Sequence, residues 1–87
     1  MSCEQKLLSA FRSALALPWN YDAKLATPDS ILQWDSIGHL QLVGEIELAF
    51  GVDFRPGEVL SLDSYERAKE LLRLHSAWVD SATDLLA

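Results

Sequence analysis

The chain has 87 residues, 49% hydrophobic and 23% charged, which is the composition of one small folded soluble domain and excludes a disordered tail. Its net charge of −6 argues against binding a nucleic-acid backbone, and no apolar run approaches the ~20 residues that span a bilayer. A single cysteine, Cys3, has no partner for an internal disulfide, which suits a reducing compartment.

The opening Met-Ser-Cys-Glu-Gln-Lys lacks the basic-then-apolar order of a secretion signal, so the cytoplasm is the expected location. One domain is expected over residues 1–87, with an ordered core from about residue 4 to residue 80. A first helix is predicted from Glu4 to Leu17, because Leu7, Leu8, Phe11, Ala14 and Leu15 recur at helical spacing, and Pro18 ends it. Residues 18–35 form a long connection broken by Pro18, Asn20, Pro28 and Asp29. Trp19, Tyr21, Leu25, Ile31 and Leu32 are its expected apolar anchors, folding the loop back over the helices.

A second helix is predicted from Ser36 to Phe50, with Asp35 as its N-cap and Gly51 just beyond its end. Residues 52–57 make another connection, followed by a short helical turn at Glu58–Leu60. The last helix is predicted to start at Asp63, where Asp63-Ser64-Tyr65-Glu66 reads as a capping-box variant. It continues through Ala68, Leu71, Leu72, His75 and Val79, with Trp78 beside them, and residues 81–87 are expected to fray. No segment alternates as a strand does, so the expected class is all-α, with three main helices and one short one.

Ser36 is the residue that the pattern singles out. Residues 29–63 hold Asp29, Asp35, Glu45, Glu47, Asp53, Glu58 and Asp63 against Arg55 alone, so the whole negative excess lies around it. Such a field speeds encounter with basic partners and weakens with salt. As the first residue after an Asp N-cap, Ser36 stands where unpaired backbone N–H groups and the positive end of the helix dipole favour an anion. The plainer reading is a cap and nothing more.

At about 100° per residue, Leu42, Ile46, Ala49 and Phe50 form one stripe fit for the core. Ile37, Leu40, Gly44 and Leu48 form a second apolar strip roughly 140° away, with Gln41 and Glu47 near it. In so small a domain one strip faces solvent as a docking surface, unless Trp19 or Ile31 of the long connection covers it.

Asp35-Ser36-Ile37-Gly38-His39-Leu40-Gln41-Leu42-Val43, through Glu45-Ile46-Glu47 to Phe50-Gly51-Val52, resembles the central segment of acyl carrier proteins. In that family an Asp-Ser-Leu signature opens the second helix, and its serine receives 4′-phosphopantetheine from a dedicated phosphopantetheinyl transferase. The resemblance covers residues 4–80 in order of elements and is specific over residues 34–52. It implies a small four-helix bundle of acyl-carrier type with a long first loop. It makes Ser36 the attachment point, Asp35 the preceding signature residue, and Ile37 the counterpart of the leucine. Ile37, Leu40, Gln41, Gly44, Glu45, Glu47 and Leu48 then belong to the helix that meets partner enzymes. The implied partners are the transferase and acyl-loading and acyl-transferring enzymes with basic docking patches. The implied protein is a monomer that carries thioesters and is not itself an enzyme. Gly44 and Leu48 stand where bulkier apolar and acidic residues are common, which makes this face more apolar than the family's.

Other readings stay open on the residues alone. Ser36 and His39 are three apart and within reach on a helix, but no third group orients His39 and no G-x-S-x-G turn is present. His39 then reads as a surface residue, Cys3 as an untethered thiol in a mobile terminus, and Cys3, His39 and His75 lack metal-ligand spacing. Trp19, Trp34 and Trp78 read as core or loop anchors, with Trp34 also a candidate contact for a cofactor arm. An aminoacyl or peptidyl carrier, and an unmodified helical adaptor for a basic partner, are the alternatives to acyl carriage.

Overall fold

The computed structural model describes residues 2–78. Four α-helices follow in order: α1 Cys3–Leu15, α2 Ser36–Phe50, α3 Pro56–Ser61 and α4 Tyr65–Leu74. A single 3₁₀ turn at Ala23–Leu25 interrupts the connection between α1 and α2. No strand occurs among the described residues, and no helix there is long and apolar enough to cross a membrane. The fold is a small all-helical bundle with three main helices and one short one, as the hydrophobic spacing predicts.

Local chemistry sets the helix ends, and it corrects several predicted boundaries. Ser2 and Gln5 form a reciprocal capping box, with Gln5 N–H donating to Ser2 Oγ and Ser2 N–H to Gln5 Oε1. Cys3 therefore sits in the first turn of α1, half-buried with its thiol 3.9 Å from the Ala77 carbonyl, and not in a mobile terminus. The helix ends at Leu15, two residues before the predicted Leu17. Ala16 turns left-handed (φ 51°), and the N–H groups of Ala16 and Leu17 both return to the Arg12 carbonyl. The residue before a proline is disfavoured in a helix, so the chain leaves before Leu17. Arg12 then ties down the exit by donating to the carbonyls of Pro18 and Trp19.

Helix α3 opens at Pro56, two residues before the predicted Glu58, because proline is well suited to the first helical position. Helix α4 is capped by Ser64, whose Oγ accepts the Arg67 N–H at 3.1 Å, and not by Asp63. It ends at Leu74 with His75 as C-cap. The expectations for Val79 and residues 81–87 lie outside the described residues.

The core is continuous. Leu7, Phe11 and Leu15 of α1 meet Leu42, Val43 and Ile46 of α2 and Tyr65, Ala68, Leu71 and Leu72 of α4. Burying each large apolar side chain contributes about 1.5–3 kcal/mol. Leu8 lies at the edge and Ala10 takes its place inside. On α2, Val43 joins the buried stripe and Ala49 leaves it, because Ala49 borders an open hollow against α1 with Lys6, Ser9, Ala10 and Glu45. Phe50 is half-buried and stacks on Trp78, ring centres 6.3 Å apart.

The long connection is anchored only in part by the residues predicted. Trp19, Leu25 and Leu32 are exposed, whereas Ala23, Ala26 and Trp34 are buried and Tyr21 and Ile31 partly so. The 3₁₀ turn packs against both α1 and α4, with Ala23 buried in it. Thr27 and Ser30 bind each other's backbone N–H groups and return the chain toward α2.

Candidate functional site

Asp35 sets the mouth of α2. Its Oδ1 accepts the Gly38 N–H at 2.8 Å, and its carbonyl accepts the His39 N–H at 2.8 Å. Ser36 is thereby fixed as the first helical residue, and it is exposed. The N–H groups of Ser36 and Ile37 lie in the first turn, where a helix offers no internal acceptor. An anion borne on the Ser36 hydroxyl would meet those donors and the positive end of the dipole.

Beside Ser36 runs an open groove of about 600 Å³. One wall is α2, with Ser36, His39 and Leu40; the other is the end of α3, with Val59 and Leu60, continuing to Leu62 and Asp63. Pro28 and Trp34 close the end toward the long connection. The lining is mostly apolar, with Asp35 and Asp63 as its acids.

Trp34 is 5% exposed, held edge-on against Phe11 at 5.7 Å between ring centres. Its indole Nε1–H donates to His39 Nδ1 at 2.9 Å. That leaves the hydrogen of neutral His39 on Nε2, which lies 2.7 Å from the Val59 carbonyl oxygen and donates to it. His39 is therefore a half-buried bridge from the loop through α2 to the end of α3, and not the surface residue its position suggests. It is turned to these two partners and not to the Ser36 hydroxyl, so no nucleophile–base pair forms. Among the described residues, no three His, Cys, Asp or Glu side chains gather to hold a metal ion.

The seven predicted docking residues separate in space. Ile37, Leu40 and Leu48 are 70%, 65% and 86% exposed, so the second apolar strip faces solvent and the long connection does not cover it. Gln41 is exposed beside them, and Gly44 is half-exposed with open space where a side chain would be. Leu60 of α3, 84% exposed, extends the strip across the groove. Glu45 instead borders the hollow against α1, near Lys6. Glu47 turns back, its Oε2 accepting the Phe54 N–H at 2.8 Å, and so orders the turn between α2 and α3.

Helix α3 is pinned from its other side by His75, whose Nε2 lies 2.9 and 3.0 Å from the two carboxylate oxygens of Glu58. The Arg55 N–H, 2.8 Å from Oε1, and then His75 hold the Glu58 carboxyl below the usual carboxylate range. Sequence reasoning did not find Gly38, His39, Val59, Leu60 or Leu62 as site residues. Only Gly38 carries a local signal, a glycine inside the first turn of a helix where nothing else calls for one. No protein-family model matches the chain, and neither does any curated protein or solved structure.

Proposed function

We propose that this domain is a carrier of acyl-carrier type, with Ser36 the attachment point for 4′-phosphopantetheine. The observation that supports this most is the exposed Ser36 hydroxyl at the mouth of α2, opening onto an apolar groove and continuous with an uncovered apolar strip on the same helix. In the loading reaction the Ser36 Oγ attacks the phosphorus next to pantetheine in coenzyme A. A phosphodiester forms, the bond to the nucleotide breaks, the nucleotide leaves, and the hydroxyl proton passes to the transferase or to water.

The residues fit such an arm. Ser36 and Ile37 offer N–H groups to the phosphodiester, and Leu40, Val59 and Leu60 offer apolar surface beyond it. Once attached, the arm supplies the thiol that forms the thioester, and this chain raises the effective concentration of that thioester at each enzyme it meets. Ile37, Leu40, Gln41, Gly44 and Leu48 form the docking face, and the acids of residues 29–63 speed encounter with basic partner patches.

Incubation with coenzyme A and a broad-specificity phosphopantetheinyl transferase tests this reading by intact mass. The wild-type chain gains one phosphopantetheine and Ser36→Ala gains none. An unchanged wild-type mass, beside a control carrier that is modified, overturns it and leaves a helical adaptor.

A further inference from the structure

Two bonds fix the protonation state of His39. Its Nδ1 accepts the Trp34 indole N–H at 2.9 Å, and its Nε2 donates to the Val59 carbonyl at 2.7 Å. Only the neutral ring can do both. We propose that this pair is an acid-sensitive latch: a proton on His39 Nδ1 drives the Trp34 indole off the ring and opens the end of the groove beside Ser36. The latch is a property of the fold, and it stands whether or not Ser36 carries an arm.

The geometry decides which partner moves. Protonation leaves the Nε2–H bond to Val59 in place and makes it charge-assisted, which holds the imidazole against α3. The Val59 carbonyl also takes the Leu62 N–H at 3.4 Å, so the end of α3 is not at stake. At Nδ1, two N–H groups would then meet across 2.9 Å, and the cation would face the positive edge of the indole and not its ring face. Trp34 is 5% exposed, and its N–H has no other acceptor among the described residues. It regains a partner only by turning toward water, and Trp34 is one of the two residues that close that end of the groove. The charged groups that line the groove with His39 are Asp35, from the cap of α2, and Asp63, after α3. Glu58 of α3 is engaged elsewhere, by the Arg55 N–H and His75, and α4 contributes no lining residue. A cation on His39 therefore has acids and no base beside it in the groove. His75 responds in the opposite sense, because its Nε2 faces the Glu58 carboxylate and a proton strengthens that contact. Mild acid thus frees Trp34 while α3 stays pinned.

Indole N–H NMR signals of the whole chain test the latch between about pH 7.5 and about pH 5, a range that spans the ~6.5 at which a free imidazole titrates. Trp34→Phe assigns the Trp34 signal by removing it. That signal should shift as His39 gains its proton, and its hydrogen should exchange with water at least about tenfold faster at the acid end. His39→Gln, whose amide does not titrate, should remove the pH dependence, and His75→Gln should leave the wild-type response intact. The ring C–H signals of the two histidines report their titrations separately. A Trp34 signal that stays constant across the range, that follows His75 and not His39, or that changes equally in His39→Gln overturns the proposal. Failure of Ser36 to accept an arm overturns the carrier reading alone, so the two fall separately.

Discussion

Gly38 stands against the backbone of Gln33: a β-carbon placed on it would run into the Gln33 carbonyl oxygen, with the carbonyl carbon at 3.2 Å and Asp35 Oδ1 at 3.4 Å. The segment leading into α2 therefore passes directly over the first turn of that helix, and only glycine lets it. Asp35 reaches the Gly38 N–H, and Ser36 is presented outward, as a result of this approach. Gly38→Ala should destabilise the domain by about 1–3 kcal/mol through overpacking against backbone. Urea unfolding measures the loss, and the transferase should modify Ser36 more slowly even where the variant is folded. Unchanged stability would show that the segment can move aside.

Gly44, six residues along the same helix, behaves oppositely. Nothing lies within 4 Å of a β-carbon there, and its backbone is helical. Gly44→Ala should stabilise the domain by about 0.5–1 kcal/mol, by removing the conformational freedom of glycine from the unfolded chain. A loss of affinity for a partner enzyme alongside that gain would mark Gly44 as a point of close approach.

The two glycines illustrate what could be read from the chain and what could not. The bounds of α2 rest on chemistry between neighbours, Asp35 capping Gly38 and Gly51 turning left-handed at φ 65°, and both are visible in the sequence. The outward strip was legible for the same reason, because helical spacing alone places Ile37, Leu40 and Leu48 together. The role of His39 was not, since its acceptor Val59 is 20 residues away and a lone polar residue on a helix looks solvated. The long connection misled differently. Its bulkiest residues look like the anchors, yet between Trp19 and Leu32 it is Ala23 and Ala26 that are fully buried, with Tyr21 and Ile31 partly so, while Trp19, Leu25 and Leu32 stay outside.

Leu48 separates docking from folding. At 86% exposure it contributes little to the core, so Leu48→Glu should change stability by no more than about 0.5 kcal/mol. Binding to an acyl-transferring partner should weaken if the apolar strip is the contact. Titration of the loaded domain against such an enzyme, together with a thermal melt, distinguishes the effects. A large drop in melting temperature contradicts the assignment of this face to solvent.

Acid should loosen α3 through Glu58. Its carboxyl is held below the ordinary 4.5, first by the Arg55 N–H and then by His75. A depressed folded pKa means that the stabilisation is complete above the unfolded value and is lost as pH falls below about 4.5 through the folded one. Glu58→Gln should lower the melting temperature at pH 6, and the gap from wild type should close as pH approaches 3. A gap that does not change with pH would mean that Glu58 acts by shape alone.

Tyr65 opens the last prediction, at the alkaline end. Its ring is almost wholly buried between Phe11 and the ammonium groups of Lys24 and Lys69, yet its hydroxyl has no hydrogen-bond partner among the described residues. Burial, then the charges of Glu4 and Glu66, push the phenol from 10.0 up to about 12. The folded state resists ionisation that the unfolded chain accepts, so stability is complete below pH 10 and declines as pH rises from 10 toward 12. Tyr65→Phe keeps the ring contacts, including both lysines, and removes the unpaired hydroxyl. The variant should be as stable as wild type or more stable by up to about 1 kcal/mol at pH 7, and its advantage should widen above pH 10. Urea midpoints at pH 7 and pH 10.5 measure both effects. A less stable variant at pH 7 would mean that the hydroxyl is paired in solution, through a buried water or a shift of α4.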